Sequence, residues 1–443
     1  MQRDNDRHFA VGIDFGTTNS SIAIAKGDSQ TELIAFPTPG GGTTASYRSV
    51  LYMDQQKEGG KSRIHSHTGP AAIAQYLADS EKGRFIQSLK SHLSSRSLTG
   101  TAIFGRHYAL ETLISRILAD LRLHAERQLG EPVRSVTVGR PVRFVGSESD
   151  DDDAFALGRM HQALELAGYE SIEFEFEPIA AAYAYGSKLD HDELILIGDF
   201  GGGTSDFSLI NVGPGIRRRG RRPGDLLGTM GLGLAGDAFD AKIIRKLVSP
   251  ALGADSMARS MKKILPAVPA WIYANLERWH YLSFLRTREV TELLKSAHAR
   301  SLEPEKIEAL INLVQEDLGY QLHRAVQRVK MELSEQKSAQ FRFRDGSMDL
   351  DITVTRAEFE AIIADELEAI ENCVAALFQT TGVDTRDVDR VFLTGGTSLV
   401  PAVRRIFESR FGAERVKTGE AFTSVAHGLA LRAQESAQVG VFI

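Results

Sequence analysis

Two short segments of this chain are near copies of each other. Gly12-Ile13-Asp14-Phe15-Gly16-Thr17-Thr18-Asn19-Ser20 follows the apolar run Phe9-Ala10-Val11. Gly198-Asp199-Phe200-Gly201-Gly202-Gly203-Thr204-Ser205-Asp206 follows Leu194-Ile195-Leu196-Ile197. Each runs on into a second apolar stretch, 21–25 and 207–212. Strand, acid, glycine-rich turn and strand predict a hairpin whose tight turn presents backbone N–H groups. Such a turn cradles phosphate, and the carboxylate beside it holds the accompanying cation. A single copy would be an ordinary hairpin, with Gly and Asp serving turn geometry. Here the Asp-Phe-Gly order, the threonines and the flanking strands recur together, which predicts a duplicated fold with a triphosphate clamped between its halves.

Composition narrows the partners. The chain has 443 residues, 42% of them hydrophobic, enough for more than one domain with a core in each. A net charge of −6 gives no overall basic field for nucleic acid. The single cysteine, Cys373, excludes an intrachain disulfide and suits a reducing compartment. Its helical surroundings, 366–378, favour a structural thiol over a nucleophile. The polar start MQRDNDRH lacks the apolar region of a signal peptide, and no apolar run approaches a membrane span. The expectation is a cytoplasmic protein with neither nucleic acid nor membrane as partner.

Along the chain, 11–53 reads as strands broken by turns, while 69–78 and 83–93 read as helices. An amphipathic helix is expected over 110–129, a strand over 133–139 and a helix over 155–167 ended by Gly168. A strand at 172–176 and a short Ala-rich helix at 178–185 precede the second hairpin. Beyond it come a helix at 240–248, a largely helical stretch over 267–334, a hairpin at 341–354 and a long helix over 359–378. A strand at 388–394, a Gly395-Gly396 turn and helices at 400–411 and 423–434 close the chain. The alternation is that of an α/β protein with mixed sheets.

Two further motifs bear on a phosphate site. Glu177-Pro178 stands at a strand end before Ile179-Ala180-Ala181-Ala182-Tyr183, where an acid more often serves only as a helix N-terminal carboxylate. Leu393-Thr394-Gly395-Gly396-Thr397-Ser398-Leu399-Val400-Pro401 is strand, glycine turn, helix, a form that lets backbone approach a ligand. Other signals are discounted. Gly231-Leu232-Gly233-Leu234-Ala235-Gly236 fits GxGxxG but follows no convincing buried strand, so a dinucleotide site is not expected. Gly60-Lys61-Ser62 imitates a P-loop ending, yet Gln55 stands at the required first glycine, leaving a hairpin. Arg217-Arg218-Arg219-Gly220-Arg221-Arg222 reads as a solvated hairpin tip, and 148–153 as a solvated acidic loop. His65 and His67 lack companions nearby in sequence for a metal.

Taken together, GIDFGTTNS, EPIAAAYAYG, GDFGGGTSDFS, VTRAEF and FLTGGTSLVP resemble the ATPase domain of the heat-shock protein 70 (DnaK-type) chaperones, in order and approximate spacing. The overall look is that of the short YegD-like branch, which lacks a peptide-binding domain. The resemblance covers roughly the whole chain and implies an actin-like (ribonuclease H-like) ATPase fold, two lobes around a nucleotide cleft. The implied lobes are 1–190, with a smaller subdomain at about 39–104, and 191–435, with an enlarged helical subdomain at about 227–340. The final helix, about 423–434, would return to the first lobe, and 436–443 would form a short apolar tail.

The resemblance also implies roles. Asp14 and Asp199 would hold Mg2+ largely through water, and Asp206 would help bind accompanying cations such as K+. Gly16, Thr17, Thr18 and Asn19 would meet the β- and γ-phosphates, and Gly201, Gly202, Gly203 and Thr204 would form the second phosphate turn. Glu177 would lie beside the metal, and Lys90 would match the γ-phosphate lysine. Charge spreading over a departing γ-phosphate calls for such a cation and lysine. Gly236 would lie near the phosphates, and Gln327, Lys330, Met331, Gly395, Gly396, Thr397 and Leu399 would line the nucleoside side.

That side departs from the family. Gln327 replaces a Glu, Met331 an Arg, Glu335 a Ser and Leu399 an Arg. An apolar sandwich of Met331 and Leu399 still holds a ring, with looser choice of base. Residues 240–327 exceed the family counterpart by roughly fifty positions. This stretch carries Trp271, Tyr273, Trp279, Tyr281 and Phe284, which read as the core of a helical cap or as a partner surface. The function implied is slow Mg2+-dependent ATP hydrolysis with a chaperone-related or partner-regulating role and an unidentified protein partner or client. Rival readings are a non-hydrolysing nucleotide sensor, an actin-like polymer and a small-molecule kinase, for which no base motif is present.

Overall fold

A computed structural model describes residues 9–27, 30–38, 41–58, 61–79, 83–219, 222–260, 263–278, 285–316, 318–345, 348–418 and 423–439. The chain divides into two compact units, Met1–Ala235 with Ile370–Ser398 and Val403–Ile443, and Gly236–Ala369 with Leu399–Ala402.

The first unit contains two sheets of matching design. In one, β1 (Phe9–Phe15), β2 (Asn19–Lys26) and β3 (Gln30–Leu33) form an antiparallel ribbon. A second small sheet follows in the chain, built from β4 (Val50–Glu58), β5 (Lys61–Thr68) and β6 (Arg84–Gln87). Two strands then join β1 on its free side in parallel, β7 (Ser135–Arg140) and beyond it β8 (Ser171–Phe176). The same order recurs with β9 (Glu193–Phe200), β10 (Ser205–Val212) and β11 (Leu226–Leu232) as the antiparallel ribbon. Here β12 (Arg390–Thr394) and β13 (Val416–Thr418) add in parallel to β9. The duplication expected from the two hairpins is therefore a duplication of whole sheets.

Helices α1 (Gly69–Ala78), α2 (Leu110–Leu129), α3 (Asp150–Leu166), α4 (Glu177–Gly186) and α5 (Ser424–Val439) belong to this unit. Leu110, Leu113, Ile114, Ile117, Leu118, Leu121 and Ala125 recur at helical spacing, which forces α2 to bury one stripe in a core with Ile13, Phe15, Ile22 and Met160. Burying one such side chain stabilises by roughly 1.5–3 kcal/mol. Ala426 and Ala430 of α5 pack with Ala23 and Ala25 of β2, small side chains that let helix and sheet approach closely.

Four elements differ from the sequence expectation. Residues 84–87 are a strand, because Phe85 and Ile86 pair across from Tyr52 and Leu51 on the edge of β4. The acidic 150–153 run is the first turn of α3, not a loop. Ser149 caps it by accepting from the Asp152 N–H, and four aspartates there favour the positive end of the helix dipole. Arg217 and Arg219 lie in a short helix, Pro214–Arg219, rather than a hairpin tip; Arg217 donates to the Gly186 carbonyl and Arg219 pairs with Asp225. Finally, the helix expected over 359–378 is two, Arg356–Ile362 and Ala364–Thr381. Cys373 is half-buried in the second of these, and burial pushes its thiol up to about 12.

The second unit is mainly helical, with Gly236–Ile243, Ala270–Glu277, Arg288–His298, Pro304–Gln315 and Gly319–Glu335, and with hairpins Met257–Ser260/Lys263–Pro266 and Ser338–Asp345/Met348–Thr355. The aromatic set is split: Tyr273 is 5% exposed, whereas Trp271 is 46% exposed. Trp279, Tyr281 and Phe284 lie outside the described residues, as do Gly60, Gly220, Arg221, Gly346 and 440–443. Among the described residues no helix is long and apolar enough to cross a membrane.

Candidate functional site

Both hairpins carry their aspartate one residue before the end of the first strand. Asp14 faces Ser21 across β1 and β2, and Asp199 faces Asp206 across β9 and β10. The second turn is closed by the Gly201 N–H, which donates to the Thr204 carbonyl at 2.9 Å. The two turns approach each other, since a Cβ on Gly203 would lie 3.5 Å from Thr17 Oγ1. Ser49 braces the first turn by donating to the Gly16 carbonyl at 2.7 Å, and Arg48 donates to Asn19 Oδ1 at 3.2 Å. After β12, Gly395 adopts φ +83°, and a Cβ there would come within 2.0 Å of the Phe200 carbonyl oxygen, so only glycine fits. Thr397 Oγ1 lies 3.5 Å from the Gly201 carbonyl oxygen. Gly396 is the next residue of this third turn.

Four carboxylates of this unit interact with Lys90 or with one another: Glu177, Asp199 and Asp206 are buried and Asp14 is half-buried. Lys90 sits in a 3-10 turn directly after β6, and its Nζ donates to Glu177 Oε1 at 2.6 Å. Burial, then the charge of Glu177, raises the Asp14 carboxyl to about 7, against the pull of Lys90. Asp206 rises to about 7 for the same leading reasons, opposed by the Thr204 side chain and the Val142 N–H. Asp199 is pushed well up by burial and by Glu177, Asp14 and Asp206 in turn. Repulsion of this kind falls when a cation enters the cluster.

The nucleoside-side candidates other than 395–397 lie in the second unit. Lys330 is held there, its Nζ donating to the Gly236 carbonyl at 3.0 Å and lying 2.6 Å from Asp240 Oδ1. Gln327 is half-buried one turn earlier on the same helix. Met331 is 70% exposed and Leu399 50%, unusual for large apolar side chains.

A model of the Hsp70 protein family matches residues 10–254 and 304–437. The chain belongs to the Hsp70 family. Its paired mixed sheets are those of the family's actin-like ATPase fold, and it is an Hsp70-like ATP-binding protein. Residues 255–303 fall between the matched segments of this Hsp70-family chain, inside the stretch that the sequence marks as enlarged.

The donor set fits the family's ligand. Thr18 Oγ1 and Asp206 Oδ2 are buried without hydrogen-bond partners among the described residues, as a phosphate turn and a cation site would leave them. No three His, Cys, Asp or Glu side chains among the described residues converge closely enough to ligate one ion directly. Sequence reasoning missed Arg140, Val142 and Asp240. Val142 N–H donates to Asp206 Oδ1 at 2.8 Å across 64 positions of sequence, a contact no local pattern signals.

Proposed function

We propose that this Hsp70-family chain is a slow Mg2+-dependent ATPase whose nucleotide state regulates its engagement of a protein partner. The observation that carries the reading is the carboxylate cluster of Asp14, Glu177, Asp199 and Asp206, in which Lys90 Nζ donates to Glu177 Oε1 at 2.6 Å and crowding raises Asp14, Asp199 and Asp206. Mg2+, when bound, would neutralise these acids and draw charge from the phosphates. The N–H groups of Thr17, Thr18 and Gly202 to Thr204 would bind phosphate oxygens, and Asn19, tied to Arg48, would hold the first turn in register. Lys90, held by Glu177, would meet the charge that develops on the γ-phosphate as the attacking water forms its bond and ADP leaves. Asp199 and Thr204 would orient that water. Asp206, with Oδ2 unpartnered, would help hold Mg2+ through its water shell and an accompanying K+. A single cysteine with its thiol pushed up by burial suits the reducing cytoplasm.

A second reading, a nucleotide sensor without turnover, is favoured by Lys90, whose Nζ is already engaged by Glu177 Oε1 at 2.6 Å. Single-turnover measurement of γ-phosphate release, with and without Mg2+, separates the two. Mg2+-dependent release supports the ATPase, and tight ATP binding with no release replaces it by the sensor.

A further inference from the structure

Arg140 ends β7, opposite Phe176 in β8 and so next to Glu177, the first residue of α4. Its guanidinium lies over the Phe176 ring at 4.8 Å and the Phe144 ring at 5.6 Å. Nε donates to the Pro141 carbonyl at 3.1 Å and Nη2 to the Val142 carbonyl at 3.4 Å. Asp153, at the start of α3, anchors the other end of this turn. Its Oδ1 accepts the Phe144 N–H at 2.9 Å, and its Oδ2 lies 3.9 Å from both Arg140 and Arg143. Between these anchors, the Val142 N–H donates to Asp206 Oδ1.

We propose that Arg140 is a positioning residue of the phosphate–cation site, which folds the 141–144 turn onto its own guanidinium and so aims the Val142 N–H at Asp206. The inference rests on the ATPase reading above. Burial opposes the Arg140 charge, while Asp153, Glu177 and Asp206 favour it, so the guanidinium is also a second cation, with Lys90, facing the carboxylate cluster. Arg is suited to this task because its planar fork serves two carbonyls and stacks on aromatic rings at once, which an ammonium does not. A leucine would keep the contact with Phe144 and Phe176 but release the turn. Asp206 would then lose its aimed donor and be free to turn away from the cation.

The test is calorimetric titration of the full chain with ADP, with and without Mg2+, on wild type, Arg140→Leu, Arg140→Lys, Asp206→Asn and the double variant Arg140→Leu/Asp206→Asn. The expected result for Arg140→Leu is a loss of ADP affinity about tenfold larger with Mg2+ than without it, so that the Mg2+-dependent gain is cut about tenfold. Arg140→Lys should recover part of that gain. The double variant should be no worse than Asp206→Asn alone, because both act through one carboxylate. An Mg2+ response in Arg140→Leu equal to wild type, or losses that add in the double variant, overturns the proposal. So does an equal fall in affinity with and without Mg2+, the mark of a merely structural role. If Arg140→Leu does not fold, Arg140→Lys decides: a wild-type Mg2+ response overturns the proposal and a reduced one supports it. Wild type that binds ADP with no Mg2+ dependence removes the ATPase-site reading itself, and this inference with it.

Discussion

Lys90 Nζ donates to Glu177 Oε1 at 2.6 Å, with both side chains buried in the first unit. Each neutralises a charge the other could not bury alone. Removing one partner therefore strands the other. Lys90→Ala should destabilise the fold by roughly 3–5 kcal/mol, and Lys90→Met/Glu177→Gln should recover most of that loss. Chemical denaturation of the single and double variants checks this. Equal loss in both would show that the pair acts through packing rather than charge.

The proposed turnover would depend on the same cluster. Asp14→Asn and Asp199→Asn keep side-chain size and remove one charge each, so they should fold normally and slow γ-phosphate release by about 10²–10³. Single-turnover kinetics at saturating ATP measures this directly. A rate within threefold of wild type would remove these residues from the chemistry.

Acid stability has a separate source in the second unit. Burial holds the His323 imidazole neutral down to about 3, near the Leu276 carbonyl, whereas in the unfolded chain it protonates near its usual 6.5. Below pH 6.5 the unfolded chain binds the extra proton and the folded chain does not. The contribution is complete above 6.5 and lost as pH falls toward 3, at up to about 1.4 kcal/mol per pH unit. His323→Gln should flatten the slope of stability between pH 6 and 4. An unchanged slope would assign acid sensitivity to other groups.

The parts of the site that were legible in the sequence are those made by neighbours in the chain. Asp14 and Asp199 announce themselves because acid, glycine turn and flanking strands are contiguous, and the duplicated sheets follow from them. The sequence proposes Lys90, but the element before it differs from the expectation. Residues 83–93 carry helix-compatible side chains, and only the pairing of Phe85 and Ile86 with β4, more than thirty positions earlier, makes 84–87 a strand. The turn at 141–144 was silent for the same reason: its partners Asp153, Glu177 and Asp206 come from three other elements. The acidic run 148–153 was misread because charge density suggests solvent, while the Ser149 cap makes the run a helix start.

The last prediction concerns the nucleobase. Met331 and Leu399 are 70% and 50% exposed in the second unit, and the family resemblance puts both where arginines would flank adenine. An exposed thioether and an exposed isobutyl group gain by covering a ring, but neither offers a directional donor or acceptor to its edge. Rejection of a wrong base is strongest where a polar group would be left unpaired, and weak where contacts are apolar. ATP and GTP should therefore bind within about tenfold of each other, whereas Met331→Ala/Leu399→Ala should weaken both by similar factors. Calorimetric titration of wild type and the double variant with each nucleotide decides it. A large preference for ATP that survives both substitutions would show that other residues read the base.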